Sequence, residues 1–277
     1  DINEVTAFSP QKFGDVKGDP DVMLDMTPDD PNWDGVCFDH HHQHEENHEY
    51  ELHLGDIPTT GMVYREFKDG IDNDVAWKSA VGMSGDRQWE EIHEDVWKSQ
   101  PDLKAHSGWT YSSYGNLKWN DQPMHSIMST LINAPARLGE TKTSAEILFN
   151  AERPVDILFN DYLRDCRDTI NKEMRKKQKN MKFIDLGDFI YIEYESDYRL
   201  YLATKIFNNS GKKTVVSVNS QVGNFSIRGP FAYPMSKKLN EKDVNAGGHK
   251  GYCGGFIGGL DPKEFRNLVI DLSEGMK

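Results

Sequence analysis

The chain has 277 residues, 37% hydrophobic and 11% aromatic, with a net charge of −13. That composition excludes a disordered chain, and no apolar run approaches the roughly 20 residues that a membrane-spanning helix needs. The acidic total argues against wrapping long duplex DNA, although a local basic groove can still hold a short strand.

In chain order, "VML" (Val22–Leu24) reads as a short buried strand that ends at Asp25, and Val36–Phe38 repeats the form and ends at Asp39. Two apolar strands that each close on an acid suggest a parallel α/β sheet, where ligands gather beyond the carboxyl ends. Thr59–Phe67 offers a threonine cap and a helical pattern, and Asp74–Asp86 a mostly apolar helix or buried segment closing on a third acid. Helical periodicity continues through "QWEEIHEDVWKS", "MHSIMSTLINA" and "TSAEILFNAE". Beyond Pro154, one long amphipathic helix is expected from Val155 to about Lys179, its later half basic and solvated. An α+β pattern follows: strands at "KFIDLG" and "DFIYIEYE", a helix at "YRLYLATKIF", strands at "KTVVSVNS" and "NFSIRG". A glycine-rich loop, "NAGGHKGYCGGFIGG", and a closing helix at "DPKEFRNLVIDLSEGM" complete it.

Residues 1–56 carry fifteen Asp and Glu against Lys12 and Lys17, which is the entire charge imbalance. Such a segment is either a solvated acidic face or a collector of hard divalent cations. Cys37, Cys166 and Cys253 stand alone without a CxxC pair, which argues against a disulfide framework and for a reducing cytoplasm.

"FDHHHQHEENH" (Phe38–His48) holds two overlapping patterns. "HEENH" matches the zinc-protease form, in which His44 and His48 would share one helical face. Its surroundings are polar on every side, and such a helix needs an apolar stripe, so His42, His44 and His48 read as loop residues flanking a site. Asp39-His40-His41 begins as a strand ends, and aspartate with neutral imidazole is a competent ligand set for Mn²⁺ or a similar ion.

Five segments, in order and over nearly the whole chain, resemble the DHH phosphoesterase family, which includes RecJ-type exonucleases, nano-RNases and cyclic-dinucleotide phosphodiesterases. They are "VMLDMTP", "CFDHHH", "SAVGMSGD", "INAPARLGETKTSAEILFNAE" (132–152), and "FSIRG" followed by "NAGGHKGYCGG". The resemblance implies an α/β fold, with a parallel-sheet DHH domain over 1–153 and a connecting helix over 154–181. A smaller α+β DHH-associated domain follows over 182–277, with the site in the cleft between the domains. It implies metal ligands at Asp25, His40, His41 and Asp86, with Asp39 as ligand or orienting neighbour. Substrate contacts are implied at Arg137, Arg228, Gly247, Gly248, His249 and Lys250, where glycines let backbone N–H groups approach an anion and arginine grips a phosphate. The implied activity is hydrolysis of single-stranded DNA, RNA or short oligonucleotides by a pair of Mn²⁺ ions (Mg²⁺ or Co²⁺ as substitutes), about 3.5–4 Å apart. Cyclic dinucleotides or nucleotides are the alternative substrate, and a catalytically impaired nucleic-acid-binding homologue the alternative function. The family's first motif, D-x-D-G, has no counterpart before Asp25. The chain is thus expected to be incomplete at its N-terminus or a natural variant with one metal position unfilled.

Overall fold

A computed structural model describes residues 20–26, 28, 30–41, 47–86, 88–104, 106–111, 117–178, 181–195, 206–207, 213–249 and 251–276. The chain divides into two compact units, 1–169 and 170–277. Among the described residues, no helix is long and apolar enough to cross a membrane.

The first unit opens with three parallel strands, β1 (Val22–Leu24), β2 (Val36–Asp39) and β3 (Glu51–Leu54), in the spatial order β1-β2-β3. Residues in register share a face. Met23, Cys37 and Leu52 align across the three strands and pack with Trp33 and Tyr50 into a small apolar cluster. Phe38 faces the other way, stacking on His53 at 4.3 Å with Phe67 of helix α1 (Thr59–Phe67) at 5.9 Å. The central strand β2 is thus packed on both faces, as a parallel strand requires. Strand β1, expected to be buried, lies instead at the sheet edge, with Val22 and Leu24 50% and 49% exposed.

Helix α2 (Trp77–Gly85) crosses α1 closely because glycines stand at the contact. A Cβ on Gly61 would lie 2.8 Å from Met83 Cε, and one on Gly82 would lie 2.6 Å from Thr60 Oγ1. This close approach ties the start of α1 and the end of α2 to one small region. The remaining elements are α3 (Glu94–Ser99), a hairpin of β4 (His106–Tyr111) and β5 (Leu117–Pro123), α4 (Met124–Arg137), α5 (Thr141–Asn150), α6 (Pro154–Leu158) and α7 (Asp161–Gln178). The main core sits among the helices, with Trp77, Ala80 and Met83 of α2 against Met128, Leu131 and Ile132 of α4.

The single helix expected over 155–179 is two. Helix α6 ends at Leu158, and Asn160 caps α7, its Oδ1 accepting from Leu163 N–H at 3.1 Å. Asparagine is among the strongest N-caps, so it starts a new helix here instead of continuing the old one. Strand β3 was not expected, although Tyr50 and Leu52 alternate toward the core as a half-buried strand demands.

The second unit is one six-stranded sheet in the order β10-β11-β9-β8-β7-β6, built from β6 (Lys182–Asp185), β7 (Phe189–Tyr194), β8 (Thr214–Asn219), β9 (Asn224–Arg228), β10 (Asn245–His249) and β11 (Tyr252–Phe256). Among the described strands of this sheet, only β7 and β8 pair in parallel. Helices α8 (Ala232–Asn240) and α9 (Pro262–Glu274) supply Met235, Leu239, Phe265 and Val269 to a core with Phe189, Tyr191, Val216 and Ile227. The glycine-rich stretch, expected as a loop, is the hairpin β10–β11. Its glycines permit close strand contact: a Cβ at Gly255 would sit 1.9 Å from Asn245 O, and Gly248 takes a φ of +137°. The helix expected at 198–207 lies outside the described residues except for 206–207, which are helical.

Candidate metal centre

The site grows from the carboxyl ends of two adjacent strands. Asp25 follows β1 with φ +64°, a left-handed backbone that aspartate tolerates better than most residues. Its N–H donates to Phe38 O at 2.9 Å, which holds this turn against β2. Asp39 ends β2 with a side chain 0% exposed. Its Oδ1 accepts from the backbone N–H of His40 at 2.7 Å and of His41 at 3.1 Å, and it pairs with His41 Nδ1 at 2.7 Å. The buried carboxylate is therefore satisfied by donors that also aim the two imidazoles, and the rings stack at 4.3 Å.

His40 is buried and half-exposed Asp25 faces it, with His40 Nδ1 3.3 Å from Asp25 Oδ1. Asp25, Asp39, His40 and His41 each offer a ligand atom, and these atoms all lie within 4.8 Å of one another. Two carboxylates and two imidazoles in such a volume form a donor set that fits a divalent ion of the Mn²⁺ type. Asp86 caps the C-terminus of α2 and stands outside this group of four. It is still near enough to feel it: desolvation first, then the Asp25 charge, pushes its carboxyl up to about 6, while His41 pulls the other way. His41 is held above the ordinary histidine value, chiefly by its hydrogen bond to Asp39, against the opposing pull of burial.

The expected substrate residues divide between the units. Arg137 ends α4 in the first unit. In the second, Arg228 is buried at the end of β9, its Nη1 donating to Ile227 O at 2.8 Å and Cys253 O at 3.0 Å, with Tyr252 under the guanidinium at 5.3 Å. Cys253 pairs with Gly248, so Arg228 is attached to the hairpin that carries Gly247 and Gly248. His249 ends β10, and Lys250 lies outside the described residues. In the HEENH pattern, His44, Glu45 and Glu46 lie outside the described residues, as does His42. His48 stacks on Tyr50 at 4.1 Å, its Nδ1 3.0 Å from Tyr50 O, apart from the cluster of four.

Two contacts escaped sequence reasoning. Thr59, buried at the start of α1, hydrogen-bonds both Asp25 and His40. Ser84 and His125 meet at 2.6 Å just before Asp86, and burial depresses the His125 ring to about 4. The only advance signal was the reading of Thr59 as a helix cap; Ser84 and His125 are 41 positions apart and gave none.

No protein-family profile matches the sequence, and no curated protein matches it significantly. Solved structures do. The RecJ of Thermus thermophilus in complex with Mn²⁺ aligns at 16% identity and a TM-score of 0.59 over 87% of this chain and 41% of that one. The DHH domain of a member of a ribosomal-protein family aligns at 12% identity and a TM-score of 0.54, over 92% and 68%. This chain has the DHH phosphoesterase fold. An exonuclease RecJ bound to manganese shares the DHH fold at 17% identity and a TM-score of 0.50, over 87% of this chain and 69% of that one. The chain spans about two fifths of the length of the Thermus thermophilus RecJ. Within that fold the mixed α/β first unit and the second sheet with its helices match the architecture expected from sequence.

Proposed function

We propose that this chain is a Mn²⁺-dependent phosphodiesterase that hydrolyses single-stranded or short oligonucleotides. The observation that carries the reading is the convergence of Asp25, Asp39, His40 and His41 within 4.8 Å at the carboxyl ends of neighbouring parallel strands. In open α/β sheets this is where ligands bind. Neighbours of the same fold that hold Mn²⁺, one of them an exonuclease, support it.

In this reading Asp25, His40, His41 and Asp86 hold the ion. A bound divalent ion neutralises phosphoryl oxygens and makes hydroxide available at neutral pH. The protein's own part is positional. Asp39 accepts from His41 Nδ1–H, which fixes the tautomer that presents Nε2, the carboxylate–histidine arrangement common around metal ligands. Asp86 must be ionised to ligate, so its raised carboxyl makes ion binding favour pH above about 6. Arg137 of the first unit, and Arg228, the hairpin backbone at Gly247 and Gly248, His249 and Lys250 of the second, are proposed to contact phosphate.

The test is hydrolysis by the 277-residue chain, with Mn²⁺, of a panel of long single-stranded DNA, RNA, dinucleotides and cyclic dinucleotides. Release of mononucleotides from linear strands is expected, and Asp86→Ala should abolish it. Turnover of cyclic dinucleotides alone would move the assignment to a small-molecule phosphoesterase. Mn²⁺ binding and strand binding without turnover would identify a non-catalytic homologue.

A further inference from the structure

Helix α2 delivers Asp86, and its last turn is tied to α4 by one buried polar contact. Ser84 and His125 are 5% and 3% exposed, and Ser84 Oγ stands 2.6 Å from His125 Nδ1 and 2.6 Å from Ala80 O. A hydroxyl has one hydrogen to give and lone pairs that accept. Ser84 gives its hydrogen to the Ala80 carbonyl one turn back, so its oxygen is the acceptor for His125 Nδ1–H. Trp97 packs on the His125 ring at 5.5 Å, which holds the donor in place. Burial lowers the ring to about 4, so the bond joins two neutral groups at neutral pH.

Backbone contacts carry this anchor on to Asp86. Asp86 N–H donates to Ser84 O, and Gln88 N–H donates to Met83 O at 3.3 Å. A Cβ on Gly85 would stand 3.6 Å from Ser129 Oγ and 3.9 Å from Asn133 Nδ2, so the turn between Ser84 and Asp86 also lies against α4. This turn must hold a carboxylate near Asp25, and like charges resist such an approach until a cation neutralises them. A ligand stays within reach of its partners when its support is locked by packing and hydrogen bonds.

We propose that His125 is a positioning residue of the metal centre, which through Ser84 fixes the C-terminal turn of α2 and so holds Asp86 toward Asp25 and His41. The inference rests on the reading of Asp86 as a metal ligand, and it adds an anchor on α4, a helix that contributes no member to the cluster of four.

The experiment is a double-mutant cycle on Mn²⁺ affinity, read from the electron paramagnetic resonance of unbound Mn²⁺, with Ser84→Ala, Asp86→Asn and the two combined. Ser84→Ala removes the acceptor but keeps a good helix former. Affinity should fall by about 10-fold, the lower end of what partners of metal ligands contribute. In the Asp86→Asn background the same change should have no further effect, because the anchor then has no charge to place. A merely structural role would weaken both backgrounds equally. His125→Leu should match Ser84→Ala, whereas His125→Asn, which keeps an N–H where Nδ1 stands, should stay close to wild type. This pair decides the matter if Ser84→Ala does not fold or Asp86→Asn binds no ion. Wild-type affinity in Ser84→Ala, equal losses in both backgrounds, or His125→Asn as weak as His125→Leu each overturn the inference and leave the metal site standing. Wild-type affinity in Asp86→Asn removes Asp86 as a ligand, and the inference with it. Absence of Mn²⁺ binding by wild type overturns the proposed function and this inference together.

Discussion

The two sheets handle polar groups in opposite ways. In the first unit, the adjacent parallel strands β1 and β2 lead into polar residues at their carboxyl ends, where Asp39 and His40 are buried and half-exposed Asp25 faces them. In the second, a buried carboxylate is neutralised within the structure: Glu193 pairs with Lys182 at 2.7 Å and Arg266 at 3.5 Å. The first arrangement concentrates like charges, which disfavours ionisation and suits a cation. The second neutralises charge and suits a scaffold. Buried charge alone therefore does not mark a site; the surplus of acceptors over donors does.

Substitutions can break or sharpen this contrast. The largest effect is expected from Asp39→Asn, which weakens the hold on His41 and should lower Mn²⁺ affinity by about 10–100-fold, and hydrolysis with it. Isothermal titration and a rate assay would check it, and an unchanged affinity would remove Asp39 from the centre. Next is Phe265→Ala in the core of the second unit, expected to cost about 3–5 kcal/mol in denaturant unfolding while leaving Mn²⁺ affinity unchanged. Loss of affinity in that variant would contradict the division of labour. Gly255→Ala should cost about 1–3 kcal/mol by driving β10 from β11, since the added methyl meets Asn245 O. Chemical denaturation of the isolated variant measures it directly.

The smallest effect has the opposite sign. The carboxyl of Asp86 is raised to about 6 from 3.8, so the folded protein binds the proton more tightly than the unfolded chain does. Stability then falls as pH rises from about 4 to 6 and stays lower above that. Asp86→Asn should remove this penalty at pH 7.5 and stabilise the metal-free protein by about 1 kcal/mol, an amount discounted for the exposure of the side chain. The same variant should lose hydrolysis. A melting temperature lowered at pH 7.5 would refute the sign.

Much of this was legible in the sequence because it is local. Strand ends at Asp25 and Asp39 follow from short apolar runs closing on acids, and α1 has the bounds its periodicity indicates, although its cap is Pro58 and not the expected threonine. Strand β3 was hidden because glutamate and histidine occupy its alternate positions, although Tyr50 and Leu52 alternate inward. The glycines of β10–β11 read as loop residues because glycine favours turns; here they serve close strand packing instead. The links of Thr59 to His40 and Asp25 span 19 and 34 positions, and only the fold brings such groups together.

The left-handed backbone at Asp25 decides how that position should be interrogated. Its conformation suits glycine, asparagine or aspartate, whereas a cation requires the charge. Alanine there would confound lost ligation with backbone strain, and glycine would relax the turn while deleting the ligand. Asparagine alone separates the two demands, preserving the turn and a side-chain carbonyl while discarding only the negative charge. The chain's geometry thus names the single clean control for the most exposed residue of the cluster of four.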